Sequence, residues 1–313
     1  GYQVHVYDRY DRIGGLLMYG IPGFKLEKSI VERRGQLLID GGVHFHLGVD
    51  IGGETSFADI RAKHDAILVA TGVYKARDIA APGSGLDGIV PALEYLTVSN
   101  RKSLGDDAAA FDSGALNAEG KDVIVIGGGD TAMDCVRTAI RQKAKSVSCL
   151  YRRDRANMPG SQREVQNAEE EGVVFKWLSA PQAFLGDDKV RAVQAQRIHL
   201  GQPDATGRQV PEVIDGSAHE LPADMVIKAL GFDPEDLPTM FGQDGLEVTR
   251  WGTLKIDWRT MMTNLDGVFA AGDIVRGASL VVWGVRDGRD AAEAIDQWIM
   301  AAADAPRAAG AGR

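Results

Sequence analysis

Gly127-Gly128-Gly129-Asp130-Thr131-Ala132 is the stretch of the chain whose residue types and spacing most directly suggest chemistry. It matches G-x-G-x-x-A and lies between an apolar run, Val123 to Ile126, and a helical pattern, Thr131 to Arg141. A dinucleotide-binding turn needs that order. Gly127 permits the sharp bend, Gly129 lets a pyrophosphate reach the backbone, and Ala132 lets the helix pack closely while its N-terminal amides face the anion. The same residues could form a plain structural turn; the strand before and the helix after favour a ligand. The next apolar run, Ser146 to Tyr151, ends in Arg152 and Arg153. An NAD-selective site offers the ribose diol a carboxylate there. Two guanidinium groups can instead grip a 2′-phosphate through charge-assisted bonds, so NADPH is expected over NADH. Arg155 either assists or faces water.

Several shorter signals point to a second nucleotide. Asp8 closes GYQVHVYD, whose polar and apolar residues alternate as in a strand, and a carboxylate at such a strand end can accept ribose hydroxyls. The glycine-rich turn that should precede this strand would lie before Gly1. The chain is therefore expected to be N-terminally truncated, with its first pyrophosphate loop missing. Gly14, Gly15 and Leu16 follow in a glycine-rich loop. Thr71 and Gly72 close the apolar run Ala66 to Ala70, and Gly272 and Asp273 close Val268 to Ala271. Gly231, after Met225 to Ala229, joins the cofactor-binding candidates. Each of these strand-turn pairs is weak alone.

The elements that must hold these residues read as α/β. A helix is expected from about Leu26 to Asp40, stopped by Gly41-Gly42, with strands at Val43 to Leu47 and Ala66 to Ala70. Residues Ser99 to Gly120, rich in Gly, Ala, Ser and Asp, are read as a domain crossing. Strands and helices are expected to keep alternating through Val173 to Leu178, Val190 to Leu200 and Met225 to Ala229. A terminal helix runs from about Val285 to Ala301 on this reading.

Composition narrows the function classes. A net charge of -9 argues against general binding to nucleic acid or anionic membrane. Cys135 and Cys149 are too few and too far apart for a Cys-x-x-Cys pair or a four-cysteine iron–sulfur site. The apolar runs fall far short of the roughly 20 residues that span a bilayer, and a cytoplasmic location is expected. His44 and His46 share a strand face but show no third ligand, so they read as surface histidines and no metal site is expected. Glu169-Glu170-Glu171 reads as a solvated helix face, and Ser161 has no partners that would make it a nucleophile.

With Asp8 and an inserted nucleotide domain, the Thr71-Gly72 and Gly272-Asp273 turns resemble the two-dinucleotide-binding flavoproteins. Longer stretches are similar to the small (β) subunit family of bacterial NADPH-dependent glutamate synthase. They are Asp11 to Leu17, Tyr19-Gly20-Ile21-Pro22, Phe24 to Lys28, Gly127 to Gln142, Tyr151 to Val173, and Gly272 to Trp283. The resemblance implies two nested Rossmann-like FAD- and NAD(P)-binding domains, glutathione-reductase-like, lacking the first FAD strand and glycine loop. Residues 1–105 and 263–313 would form the two parts of the FAD domain, and 106–262 the NADPH domain. FAD would meet Asp8, Gly14, Gly15, Leu16, Thr71, Gly72, Gly272 and Asp273, the last at its ribityl or pyrophosphate region. Ser279 to Val285, with Leu280 and Val281, would run beside the flavin ring, amides at a helix start stabilising negative charge on the reduced flavin.

The family's reaction passes hydride from NADPH to FAD and electrons onward, through iron–sulfur clusters, to a large (α) subunit that forms glutamate. Those clusters would lie only in the missing N-terminal region or the partner. No side chain is required to transfer a proton, so no catalytic residue is nominated. Two alternatives share these motifs: a related module of an NADPH:ferredoxin or dihydropyrimidine dehydrogenase-like enzyme, and a non-catalytic nucleotide-binding fragment. A thioredoxin-reductase-like enzyme is disfavoured, because it needs a redox cysteine pair.

Overall fold

Strand Asp122–Ile126 shows why the region around the glycine turn folds as it does. Val123 and Val125 point into one apolar cluster and Ile124 and Ile126 into another, so an unbroken apolar run is buried on both faces. The computed structural model describes residues 1–204 and 207–304. Its contacts divide the chain into two compact units: Arg12–Val43 with Ala76–Gly231, and Tyr2–Asp11 with His44–Lys75 and the chain from Phe232 onward.

The first unit is built on a five-stranded parallel sheet. Its order is Ile89–Pro91, Met225–Lys228, Asp122–Ile126, Ser146–Leu150, Val174–Lys176. Helices Ala92–Ser103, Asp130–Arg141 and Gln162–Glu170 contribute Leu96, Met133, Val136 and Val165 to the cluster on one face. A four-stranded sheet, formed by Ser179–Gly186, Val190–Pro203, Gln209–Val213 and His219–Pro222, covers the other face through Phe184, Val193 and Ala195. Its strand pairs are antiparallel and no helix interrupts it. This corrects the expected strand–helix alternation from Val173 to Ala229. Val193 and Ala195, two apart on the long strand, place small apolar side chains in the cluster between this sheet and the parallel one.

A second correction concerns Ser99 to Gly120. Helix Ala92–Ser103 extends into it, with Tyr95 and Leu96 buried, and a short helix follows at Ala109–Asp112. Polar Asn100, expected in a crossing, is buried because its amide donates to the Tyr19 carbonyl at 2.9 Å. The segment from Arg12 is fastened to this helix: Arg12 makes a bidentate pair with Asp106 at 2.6 Å and donates to the Tyr19 hydroxyl at 2.8 Å. Helix Lys28–Asp40 then ends at Gly41, as expected.

The second unit holds two parallel strand pairs: His5–Asp8 with His44–Leu47, and Ile67–Val69 with Val268–Ala270. The first strand is shorter than the GYQVHVYD run suggested. Phe57 and Phe241 stack at 4.4 Å in its core. The closing helix, Val281–Asp304, starts earlier than the expected Val285. Trp298, near its end, meets Phe269 edge-on at 6.1 Å. Among the described residues no helix is long and apolar enough to cross a membrane.

Candidate functional site

The three glycines of the fingerprint have three different surroundings. At Gly127, φ is 147° and a Cβ would sit 2.1 Å from the Ala229 carbonyl oxygen; at Gly128 it would meet the Tyr151 ring at 2.4 Å. Gly129 has no neighbour within 4 Å of that position. The first two glycines therefore seat the turn against the end of the sheet, and the third leaves backbone exposed. Gly129 also precedes helix Asp130–Arg141, whose first amides lack helical acceptors and carry the positive end of the dipole. Ala132 is fully buried against the sheet, the close packing expected of it. This geometry suits a pyrophosphate.

The turn is braced from outside by residues the sequence reading passed over. Gly160 donates its amide to the Gly128 carbonyl at 2.9 Å, and the Ser161 amide donates to Asp130 Oδ1 at 2.9 Å. A side chain on Gly160 would press on Gly128 O at 3.0 Å. The motif Met158-Pro159-Gly160-Ser161 thus returns the chain from the basic strand end onto the glycine turn. Arg152 there is exposed, and among the described residues it makes no hydrogen bond or ion pair. Arg153 donates weakly to the Gln209 carbonyl at 3.4 Å, and Arg155 pairs with Glu169 at 2.8 Å. Gly231, at φ 91°, shares the unit, and its carbonyl accepts from the Arg77 amide at 3.1 Å.

Behind the same helix lies an ionic cluster. Lys25 Nζ stands 2.6 Å from Asp134 Oδ1 and 3.4 Å from Glu164, while Arg137 binds Glu164 at 2.6 Å and Glu171 at 2.7 Å. Burial pushes the Asp134 carboxyl up to about 6 despite the Lys25 ammonium. Glu171 also binds Arg141, so the expected solvated acidic face is corrected at this residue. Phe24 underlies Arg141 at 3.8 Å and Arg137 at 4.8 Å. The Phe24 to Lys28 motif is thereby fixed to the helix that follows the glycine turn. In the same segment Gly14 has φ 118°, and Val31 occupies the space a side chain would need, at 2.5 Å; Gly15 and Leu16 open a short helix, Leu16–Tyr19.

In the second unit, Asp8 ends its strand as expected, and its Oδ1 accepts from the Tyr10 amide at 2.9 Å. Thr71 is exposed and Gly72 has φ 72°. Gly272, with φ 76° and nothing within 4 Å of a Cβ, begins the one-turn helix Asp273–Arg276. Burial raises the Asp273 carboxyl above its ordinary value. Leu280 and Val281 are each 61% exposed at the start of the closing helix. Asp287 was missed by the sequence reading. It is 1% exposed and binds Arg276 through two bonds of 2.6 and 2.7 Å.

His44 is exposed and His46 half-buried, as expected of surface histidines, but they have ring neighbours the sequence did not show. The parallel register sets His5 opposite His44, and the His5 ring stacks on His44 at 4.9 Å and on His46 at 5.2 Å. His64 approaches His5 at 5.2 Å and meets the Tyr7 hydroxyl at 3.0 Å. Among the described residues no group of three or more His, Cys, Asp or Glu is arranged to hold a metal ion.

The pyridine nucleotide-disulphide oxidoreductase family profile matches residues 39–305. The chain belongs to that family. Its resemblance to glutamate synthase small chains is borne out: it is 68% identical over 99% of its length to the glutamate synthase [NADPH] small chain of Azospirillum brasilense, covering 64% of that protein. It is 65% identical to a putative glutamate synthase [NADPH] small chain of Cereibacter sphaeroides, covering 94% of this chain and 71% of that one. The chain therefore spans about two thirds of these relatives. The structure of Mycobacterium tuberculosis FprA in complex with NADPH matches with a TM-score of 0.79, covering 96% of this chain and 78% of that one. At 18% identity that likeness shows the shared α/β oxidoreductase fold of the family.

Proposed function

We propose that this family member is the FAD- and NADPH-binding module of an NADPH-dependent glutamate synthase small chain. The 68% identity over nearly the whole chain carries the reading. On it, Gly127, Gly129, Asp130, Thr131, Ala132 and Gly231 hold the NADPH pyrophosphate side, with Arg152 and Arg153 on the 2′-phosphate. Asp8, Gly14, Gly15, Leu16, Thr71, Gly72, Gly272, Asp273, Leu280 and Val281 serve FAD. Residues 1–105 and 263–313 form the FAD domain and 106–262 the NADPH domain.

When bound, the two cofactors supply the hydride chemistry. The chain's own residues supply anion contacts, alignment and an apolar wall at Leu280 and Val281. The open backbone at Gly129 and at Gly272 fits two phosphate-bearing ligands. Electrons leave toward a large (α) subunit that makes glutamate from 2-oxoglutarate and glutamine. Iron–sulfur clusters lie outside these residues, since both cysteines are buried. Two free thiols also agree with a cytoplasmic location.

The test is spectroscopic. The full-length small chain, with the upstream segment that supplies the first FAD loop, should show a flavin band that NADPH bleaches far faster than NADH, and mixing with the large subunit should form glutamate. A flavin band that NADPH cannot bleach would reject the reading. Ferredoxin or pyrimidine reduction without glutamate formation would favour the related modules.

A further inference from the structure

The Gly272–Asp273 turn is held by a residue distant in sequence, and its connections are complete. Asp287 lies in the second turn of helix Val281–Asp304 and is 1% exposed. Its carboxylate accepts from Nε and Nη2 of Arg276 at 2.6 and 2.7 Å. Arg276 ends the one-turn helix that Gly272 begins, so the carboxylate holds that helix by its last residue. The guanidinium is also enclosed by rings: it lies 4.8 Å from the Trp258 centroid and 4.9 Å from that of Trp283. Glycines at φ 76° and 79° flank the helix, conformations that do not hold themselves in place.

We infer that Asp287 is a positioning residue for FAD, setting the Gly272–Asp273 turn through Arg276 before the cofactor arrives. The inference rests on the flavin assignment proposed above. An unpaired buried carboxylate would be costly, so Asp287 and Arg276 act as a unit. Ordering the turn in advance removes from FAD binding the cost of ordering it then.

The experiment compares D287N, R276Q and the charge swap R276D/D287R with wild type. It measures FAD affinity by flavin fluorescence quenching, NADP+ affinity by calorimetry, the thermal midpoint, and amide exchange over residues 272–280. D287N should weaken FAD by about tenfold or more, the worth of one charge-assisted hydrogen bond, and speed exchange over 272–280. NADP+ affinity should stay within about twofold, since its residues lie in the other unit. R276Q breaks the same pair from the other side and should weaken FAD by a similar factor. It serves as the comparison if D287N folds poorly.

The swap restores an ion pair with the charges reversed. It should recover the thermal midpoint and bring FAD affinity to within about threefold of wild type. The inference is overturned if D287N binds FAD as wild type does, if NADP+ affinity falls as far as FAD affinity, or if the swap recovers the thermal midpoint and leaves FAD weak. A full-length small chain that holds no FAD would overturn the functional reading and this inference with it. FAD binding that D287N leaves unchanged overturns this inference alone.

Discussion

Arg152→Ala gives the most direct test of nucleotide choice. Arg152 is exposed and without a protein partner among the described residues, so its removal should not disturb the fold. A hydrogen bond to a charged group contributes about 1.5–3 kcal/mol, or roughly 10- to 150-fold in affinity. Solvent screening at an exposed strand end places the expectation at the lower end, near tenfold. NAD+ has no 2′-phosphate and should lose less than about twofold. Arg153→Ala should lose a similar factor, with a small stability cost from its bond to Gln209. Calorimetric titration of NADP+ and NAD+ into wild type and variant reads the ratio directly, and raising the salt concentration should shrink it. Equal weakening of both nucleotides by Arg152→Ala, or unchanged NADP+ binding, would refute the assignment of this strand end to the 2′-phosphate.

Gly127→Ala should lower the urea-unfolding free energy by about 3 kcal/mol or more, since its Cβ would strike the Ala229 carbonyl at 2.1 Å. Gly129→Ala, with open space, should cost about 1 kcal/mol or less in stability yet weaken NADP+; equal destabilisation by the two would contradict the turn geometry. Lys25→Met leaves Asp134 without its ammonium, and at pH 8 should cost about 3 kcal/mol. The loss should be smaller at pH 5, where a carboxyl pushed up to about 6 has taken up its proton; a pH-independent loss in denaturation curves would exclude that cause. Desolvation, then repulsion from His44, His64 and His46, holds His5 below its ordinary value. A lowered folded value stabilises above about pH 6.5 and is lost as pH falls below it, so the thermal midpoint of His5→Gln should fall less steeply than wild type between pH 7 and 5. Parallel slopes would show that the histidine stack does not titrate with folding.

The glycine turn between strand and helix was legible because its signals are local. A strand buried on both faces, glycines at fixed spacing and a helix start all fall between Val123 and Arg141, and each has its own physical reason. What escaped the sequence depends on pairing across distance. His5 reads as one polar residue in an alternating strand until the register places it opposite His44. Asp287 looks like part of a solvated helix face among Arg286, Arg289 and Asp290, and only the fold brings Arg276 to it. Glu171 was hidden in a run of acids in the same way, its arginines lying on another helix. The antiparallel sheet was misread because its long strand, Val190–Pro203, mixes buried and half-exposed positions with bulges that blur the period of two.

The bond from Gly160 to Gly128, with that from Ser161 to Asp130, bears on engineering. Coenzyme preference is commonly altered by exchanging the few residues at the end of the second strand. Here the loop that bears the arginines leans back on the glycine turn, so that a change in its length or path would tug on the Gly128 carbonyl. A transplant meant to give this chain an NADH preference should therefore carry residues 151–162 as one cassette and keep a glycine where Gly160 stands. Recipients chosen on strand-end identity alone would lack the brace.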